Sequence, residues 1–261
     1  MMKALSKMNK KDKQGVALFS VAITILVILL SFYLYKVNSP ERKYDRNTMC
    51  NEHITRDKNN IFIFDISDPL SNHQKVFLKK RFNSVLAESS INDKFTIFTL
   101  DAESNGLSQP ISMACMPKGA KDANQLTDNA KFLEKNFQDK FIEPMNESLN
   151  VVSSENTMET SPIFESLSDV NSLGFLDRNS QVNNVYIISD MLQNTDKYSV
   201  YRSGSSAVSD LPYISLPNTK VMVFWLERNN SEKYQTSSLA KSWARYIDSV
   251  STLSFIEKVR D

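Results

Sequence analysis

Twenty consecutive residues, Val16 to Tyr35 (VALFSVAITILVILLSFYLY), carry no charge, no proline and no glycine. A helix of that length spans about 30 Å, the thickness of a bilayer's hydrocarbon core. Ser20, Thr24 and Ser31 can bond back to carbonyls of their own helix, which makes them cheap in lipid. Tyr33 and Tyr35 sit at one end, where aromatic rings favour the interface. A cleaved signal peptide usually has a shorter apolar stretch, about 7–15 residues, ending at a small-residue cleavage site. SFYLYKVNSP offers no Ala-x-Ala pattern. A buried core helix would carry a polar face, and this run has none. The expectation is a retained signal anchor.

Charge is placed unevenly around that run. The first fourteen residues hold Lys3, Lys7, Lys10, Lys11 and Lys13 against Asp12, a net +4, so the chain's total of +1 leaves −3 for the remainder. A nearly neutral domain offers no broad electrostatic footprint for nucleic acid. Five lysines precede the helix, while Lys36, Arg42, Lys43 and Arg46 follow it. That bias favours a cytoplasmic N-terminus. A tail this short also has no folded content to export, so the large domain is expected outside the cytoplasm. The two cysteines, Cys50 and Cys115, lie in no Cys-x-x-Cys pair. In an oxidising compartment they are candidates for a disulfide tying the stalk to the sheet; two buried free thiols are the other reading. His53, three residues after Cys50, does not complete a zinc site.

The chain divides into a basic cytoplasmic tail (1–14), a transmembrane helix (15–36), a polar stalk (37–60) and one α/β domain (61–261). IFIFDI (61–66), KFTIFTL (94–100), PISMAC (110–115), NVYIISD (184–190), TKVMVFWLE (219–227) and LSFIEKV (253–259) have the composition of strands. Between them lie helical patterns. Ser71–Ser90 has Leu78, Phe82, Val85 and Leu86 on one face. Asn129–Leu149 carries Leu133, Phe137, Phe141, Met145 and Leu149 at every fourth position, with Pro144 expected to kink or shorten it. SPIFESLSDVNSL and Ser237–Ser249 complete the set. Strands separated by helices imply a mostly parallel, doubly wound sheet with helices on both faces. Such sheets gather functional loops at the carboxyl ends of their strands.

Two strands end in aspartate on that edge, Asp65 after IFIF and Asp190 after YIIS. With Ser67 two residues past Asp65, and Ser161 opening a helix, they form a hard oxygen set suited to magnesium, calcium or manganese. The alternative is that the two carboxylates cap helices and accept from loop amides. Over roughly residues 60–260 these features resemble the von Willebrand factor A family. That family binds a divalent ion through Asp-x-Ser-x-Ser after the first strand, a threonine before a helix and an aspartate after the fourth strand. Here the first motif reads Asp65-Ile66-Ser67-Asp68-Pro69. The second falls at Ser161, with Ser166-Leu167 in place of the family's Ala-Leu, and the third is Ser189-Asp190-Met191. The resemblance implies that Asp65, Ser67, Ser161 and Asp190 hold Mg2+ or another divalent cation. Pro69 replaces the second motif serine, and Met191 stands where glycine is frequent in the family. CMPKGAKDANQL and SDMLQNT resemble stretches of bacterial membrane-anchored proteins of this type.

Residues 191–218 form a long connection directly after Asp190, either a recognition loop over the site or a solvated serine-rich loop. Tyr198, Tyr201, Arg202 and Tyr213, with Asp68, are residue types suited to a protein-binding surface. No Gly-x-Ser-x-Gly elbow, nucleotide-binding glycine loop or histidine-based triad is present. The sequence therefore points to a protein-binding or assembly module at a bacterial inner membrane. Its partner is expected to be another protein, membrane-associated or extracytoplasmic. The competing readings are a metal-dependent phosphohydrolase using Asp65, and a structural subunit with no working rim.

Overall fold

The computed structural model describes residues 10–37, 44–153 and 158–261. The first nine residues of the expected tail and residues 38–43 of the expected stalk lie outside these. The chain forms two units, Met1–Tyr44 and Asp45–Asp261. In the first, helix α1 spans Lys10–Val37, and its stretch Gln14–Tyr35 is long and apolar enough to cross a membrane. The hydroxyls of Ser20 and Thr24 donate to the carbonyls of Val16 and Ser20, at 2.8 and 2.9 Å.

In the second unit the elements follow in order: β1 (Arg56–Phe64), α2 (Asn72–Ala87), β2 (Lys94–Asp101), β3 (Gly106–Leu107), β4 (Ser112–Cys115), α3 (Ala130–Phe137), α4 (Glu143–Val152), α5 (Ile163–Ser172), β5 (Ser180–Ser189), the single turns α6 (Val200–Ser203) and α7 (Ser206–Ser209), β6 (Thr219–Leu226), α8 (Ser237–Val250) and β7 (Thr252–Val259). Seven strands make one mixed sheet in the order β3-β2-β1-β5-β6-β7, with β4 also pairing β2. The five long strands are parallel; β3 and β4 run antiparallel along the outer edge of β2.

Alternation along each strand sends side chains to two cores. Ile61, Ile63, Val185, Ile187, Val221 and Val223 pack on one face with α5, α8 and the segment after β5. Phe62, Phe64, Tyr186, Ile188 and Phe224 pack on the other with α2, α3 and α4. The winding leaves β1 towards β2 and later resumes on its opposite side at β5. The carboxyl ends of β1 and β5 thus flank the point where the topology reverses, the usual ligand crevice of open α/β sheets.

Three expectations need correction. The packed unit begins at Asp45 rather than 61, and β1 starts at Arg56. The polar residues before Ile61 read as a stalk because their partners lie more than a hundred positions away. Arg56 pairs with Asp177. The Asn59 and Asn184 side-chain amides donate to Asn183 and Asn60, at 2.8 and 3.0 Å. Second, the interruption expected at Pro144 falls just ahead of it, and the proline stands in the first turn of α4. A π turn over Gln138–Ile142 joins α3 to α4, and the Glu143 amide bonds the Gln138 carbonyl. That extra residue rearranges the turn that a proline ring would otherwise meet. Third, residues 191–218 are no solvated loop. Met191, Leu192, Val200, Ala207, Val208, Leu211 and Leu216 are all buried in the first core.

Cys50 and Cys115 form a disulfide. It joins the segment before β1 to the end of β4, where Cys115 pairs in register with Lys94 at the start of β2.

Candidate functional site

Asp65 is the first residue past β1, and its amide extends the ladder by donating to the Ile188 carbonyl at 2.8 Å. Its carboxylate is buried, and both of its oxygens accept hydrogen bonds. Oδ2 accepts the hydroxyls of Ser161 and Ser189, each at 2.7 Å, and Oδ1 accepts the Ser67 amide at 3.0 Å. Ser189 closes β5. Ser161, just ahead of α5, is fixed by a two-way backbone bridge to Asn194. Three distant segments therefore meet on one carboxylate.

Asp190 follows Ser189 and is equally buried, 4 % exposed like Asp65. Its Oδ1 accepts the Leu192 amide at 2.9 Å, and its main-chain carbonyl accepts the Gln235 side-chain amide at 3.0 Å. Burial, and then the charge of Asp65, push the Asp190 carboxyl up to about 7. Met191 adopts φ +61°, a left-handed conformation that bulky side chains disfavour. It is held there by bonds from both sides: its amide donates to Ser189 Oγ, and its carbonyl accepts Trp243 Nε1, both at 2.9 Å. Strain fixed by its surroundings in this way is characteristic of functional rims. The rim's outer wall is aromatic. Tyr201, 43 % exposed, meets Tyr234 edge-on at 4.7 Å between centroids, and Lys233 lies 4.8 Å over the Tyr234 ring. Burial raises the Tyr201 hydroxyl to about 12, and Asp190, Asp68 and Asp65 add to the shift. This tyrosine therefore feels all three carboxylates.

Of the residues singled out from sequence, Asp65 and Ser161 touch directly, and Asp190 lies within electrostatic reach of Asp65. Ser67 contributes its amide to Asp65. Both aspartates accept loop amides, and neither is the cap residue of a helix. Asp68 is exposed beside them. Tyr198 packs edge-on against Phe164. Arg202 spends its guanidinium on the Thr195 and Asp196 carbonyls. Tyr213, 73 % exposed, lies between Pro212, whose carbonyl accepts the Tyr246 hydroxyl, and Leu216, whose amide donates to Val250. Val250 ends α8 just ahead of β7, so Tyr213 belongs to the opposite edge of the sheet.

Three residues of the site escaped the sequence reading, Arg228, Tyr234 and Gln235, and Ser189 was read only as part of the third motif. Ser189 precedes an aspartate that drew attention to itself. Arg228, two residues past β6, is only 9 % exposed and turns inward. Its guanidinium donates to the Pro69 and Asp68 carbonyls, at 2.6 and 3.1 Å, and to Gln74 Oε1 at 3.3 Å. Its charge opposes the rise of the Asp190 carboxyl.

A resident divalent ion needs several oxygen lone pairs turned to one point. Here both oxygens of Asp65 are occupied by protein donors, Pro69 brings no hydroxyl, and a guanidinium already charges the same loop. Among the described residues, no three His, Cys, Asp or Glu side chains gather into a metal-holding group. The donor set does not fit such an ion.

No family model matches the chain, and no curated protein matches it. Among solved structures it is similar to the crystal structure of conserved hypothetical protein BatB from Bacteroides thetaiotaomicron. Identity is 11 %, covering 78 % of this chain and 90 % of that chain, with a TM-score of 0.32.

Proposed function

We propose that this chain is a membrane-anchored protein-binding or assembly module whose von Willebrand A-like domain docks a partner at the β1/β5 rim. The observation that carries the reading is the convergence of Asp65, Ser161 and Ser189 at the topological switch point, with Asp190 alongside. It places the three sequence segments of the family resemblance around one carboxylate. The groups around them, exposed Asp68 and Tyr201 with half-buried Tyr234, supply the contact surface. Tyrosine and charged groups ringing a rigid, buried framework are common anchors at protein interfaces. Asp65 makes a poor phosphoryl acceptor, because it is buried with both oxygens hydrogen-bonded, which weighs against the phosphohydrolase reading.

The apolar helix α1 is the anchor in this proposal. The disulfide supports a domain on the oxidising side of the membrane, since such bonds persist in the periplasm and outside cells. On this reading, in a bacterium, the domain lies beyond the inner membrane and faces extracytoplasmic or membrane-embedded proteins.

The test substitutes exposed groups only. Cross-linking in intact cells with wild-type chain, Tyr201→Ala and Asp68→Ala is expected to lose the captured protein in the variants. Melting temperatures should stay within about 2 °C of wild type, as usual for surface changes. A control change at the far edge, Phe255→Ser, is expected to leave capture intact. Undiminished capture by both rim variants would remove the rim from the interface.

A further inference from the structure

An oxygen-lined crevice with two buried carboxylates is costly to keep without a positive charge nearby, because like charges in low dielectric repel and desolvation disfavours both. The usual remedy in such a crevice is a hard cation. In this chain an arginine from the loop after β6 stands in its place, bound by the loop after Asp65. Pro69 has neither hydroxyl nor amide hydrogen to offer, and its carbonyl is turned onto Arg228, as is that of Asp68. The Arg228 amide is held by Gln235 Oε1 at 2.8 Å, and the same glutamine's nitrogen holds the Asp190 carbonyl. One side chain thus fixes both the cation-bearing residue and the carboxylate-bearing residue. Gln74, itself buried, adds an oxygen to the guanidinium from α2 while its nitrogen bonds the Glu227 and Val259 carbonyls. Arg228 Nε, also buried, has no hydrogen-bond partner among the described residues. The guanidinium is therefore locked by three acceptors, two from the loop and one from α2. Arginine suits this post, since it stays charged and its planar fork reaches several acceptors at once.

We propose that Arg228 is the resident cation of this rim, so that the domain holds its shape and docks its partner without a divalent metal. The inference rests on the rim being the docking site only for its last clause; the metal response can be read without any partner.

The experiment uses the full chain in detergent. Melting temperature and isothermal titration are measured with millimolar magnesium or manganese for wild type, Arg228→Met and Arg228→Lys. Wild type and Arg228→Lys, which keeps the charge, are expected to show no saturable heat and no metal-dependent rise in Tm. Arg228→Met, with the charge gone and the carboxylates left, is expected to bind the metals at least about tenfold more tightly than wild type. Saturable binding by wild type overturns the proposal, as does a folded Arg228→Met that is as silent as wild type. Should Arg228→Met fail to fold, the wild-type response decides alone, silence supporting the proposal and saturation overturning it. In cells, capture that survives a chelator supports metal-free docking. Capture abolished by the chelator overturns it while leaving the rim as the docking site, which the Tyr201 and Asp68 variants test separately.

Discussion

At the scale of single residues, the buried Asp190 carboxyl gives the domain a pH dependence. Asp190 titrates near 7 in the folded chain, against about 3.9 in an unfolded one. Between those values the folded state keeps a proton that the unfolded state has released. Stability from this group is therefore fully present below about pH 3.9 and lost as pH rises through 7. Asp190→Asn stays neutral and retains an acceptor for the Leu192 amide. Its Tm advantage over wild type is expected to grow between roughly pH 5 and pH 8, by about 2–4 °C for each kcal/mol recovered; a constant difference in melting scans over that range would remove Asp190 as the source. The aspartates themselves were legible in the sequence, because a carboxylate ending an apolar strand is conspicuous. Their inward orientation was not. Arg228, and the part Ser189 plays beside Asp65, were missed for a related reason: a serine in an apolar strand and an arginine past a strand end look ordinary until distant segments meet around them.

At the scale of elements, helices read well where local chemistry marks their ends. Helix α2 begins at a capping box, with the Ser71 hydroxyl accepting the Gln74 amide and Gln74 Oε1 accepting the Ser71 amide. Ser71→Ala should cost about 1 kcal/mol in denaturant melts. Because Gln74 also bonds Arg228, any excess beyond that figure would report the cap's coupling to the rim. The stripe of Phe137, Phe141, Met145 and Leu149 was equally readable, since a four-residue repeat survives one π turn. Of strand β1 only the apolar second half was, since its first five residues are polar and find partners across the sheet at Asp177, Asn183 and Asn184. Periodicity detects burial by apolar groups; it is blind to burial by mutual hydrogen bonding.

At the scale of the whole molecule, the disulfide closes a loop of 65 residues that includes β1, α2 and β2. Loop-closure entropy assigns such a link about 4 kcal/mol. Reduction, or a Cys50→Ser and Cys115→Ser double change, is expected to lower the Tm of the domain by roughly 8–16 °C. A drop under about 2 °C would mean that the unfolded chain gains little freedom when the link is cut. The fold class was readable from the alternation of strands and helices, whereas the start of the packed body was hidden, because covalent closure by Cys50 leaves no trace in hydropathy. That closure has a mechanical corollary. Cys50 lies at the amino edge of the sheet, and the rim lies at the carboxyl edge. If, as proposed, the N-terminus is anchored and a partner docks at the rim, tension between them would run lengthwise along β1, shearing rows of backbone bonds to β2 and β5 together rather than peeling them singly. The sulfur bridge would pass part of that load into β4 before β1 felt it, so a domain wired this way is suited to holding fast under a pull.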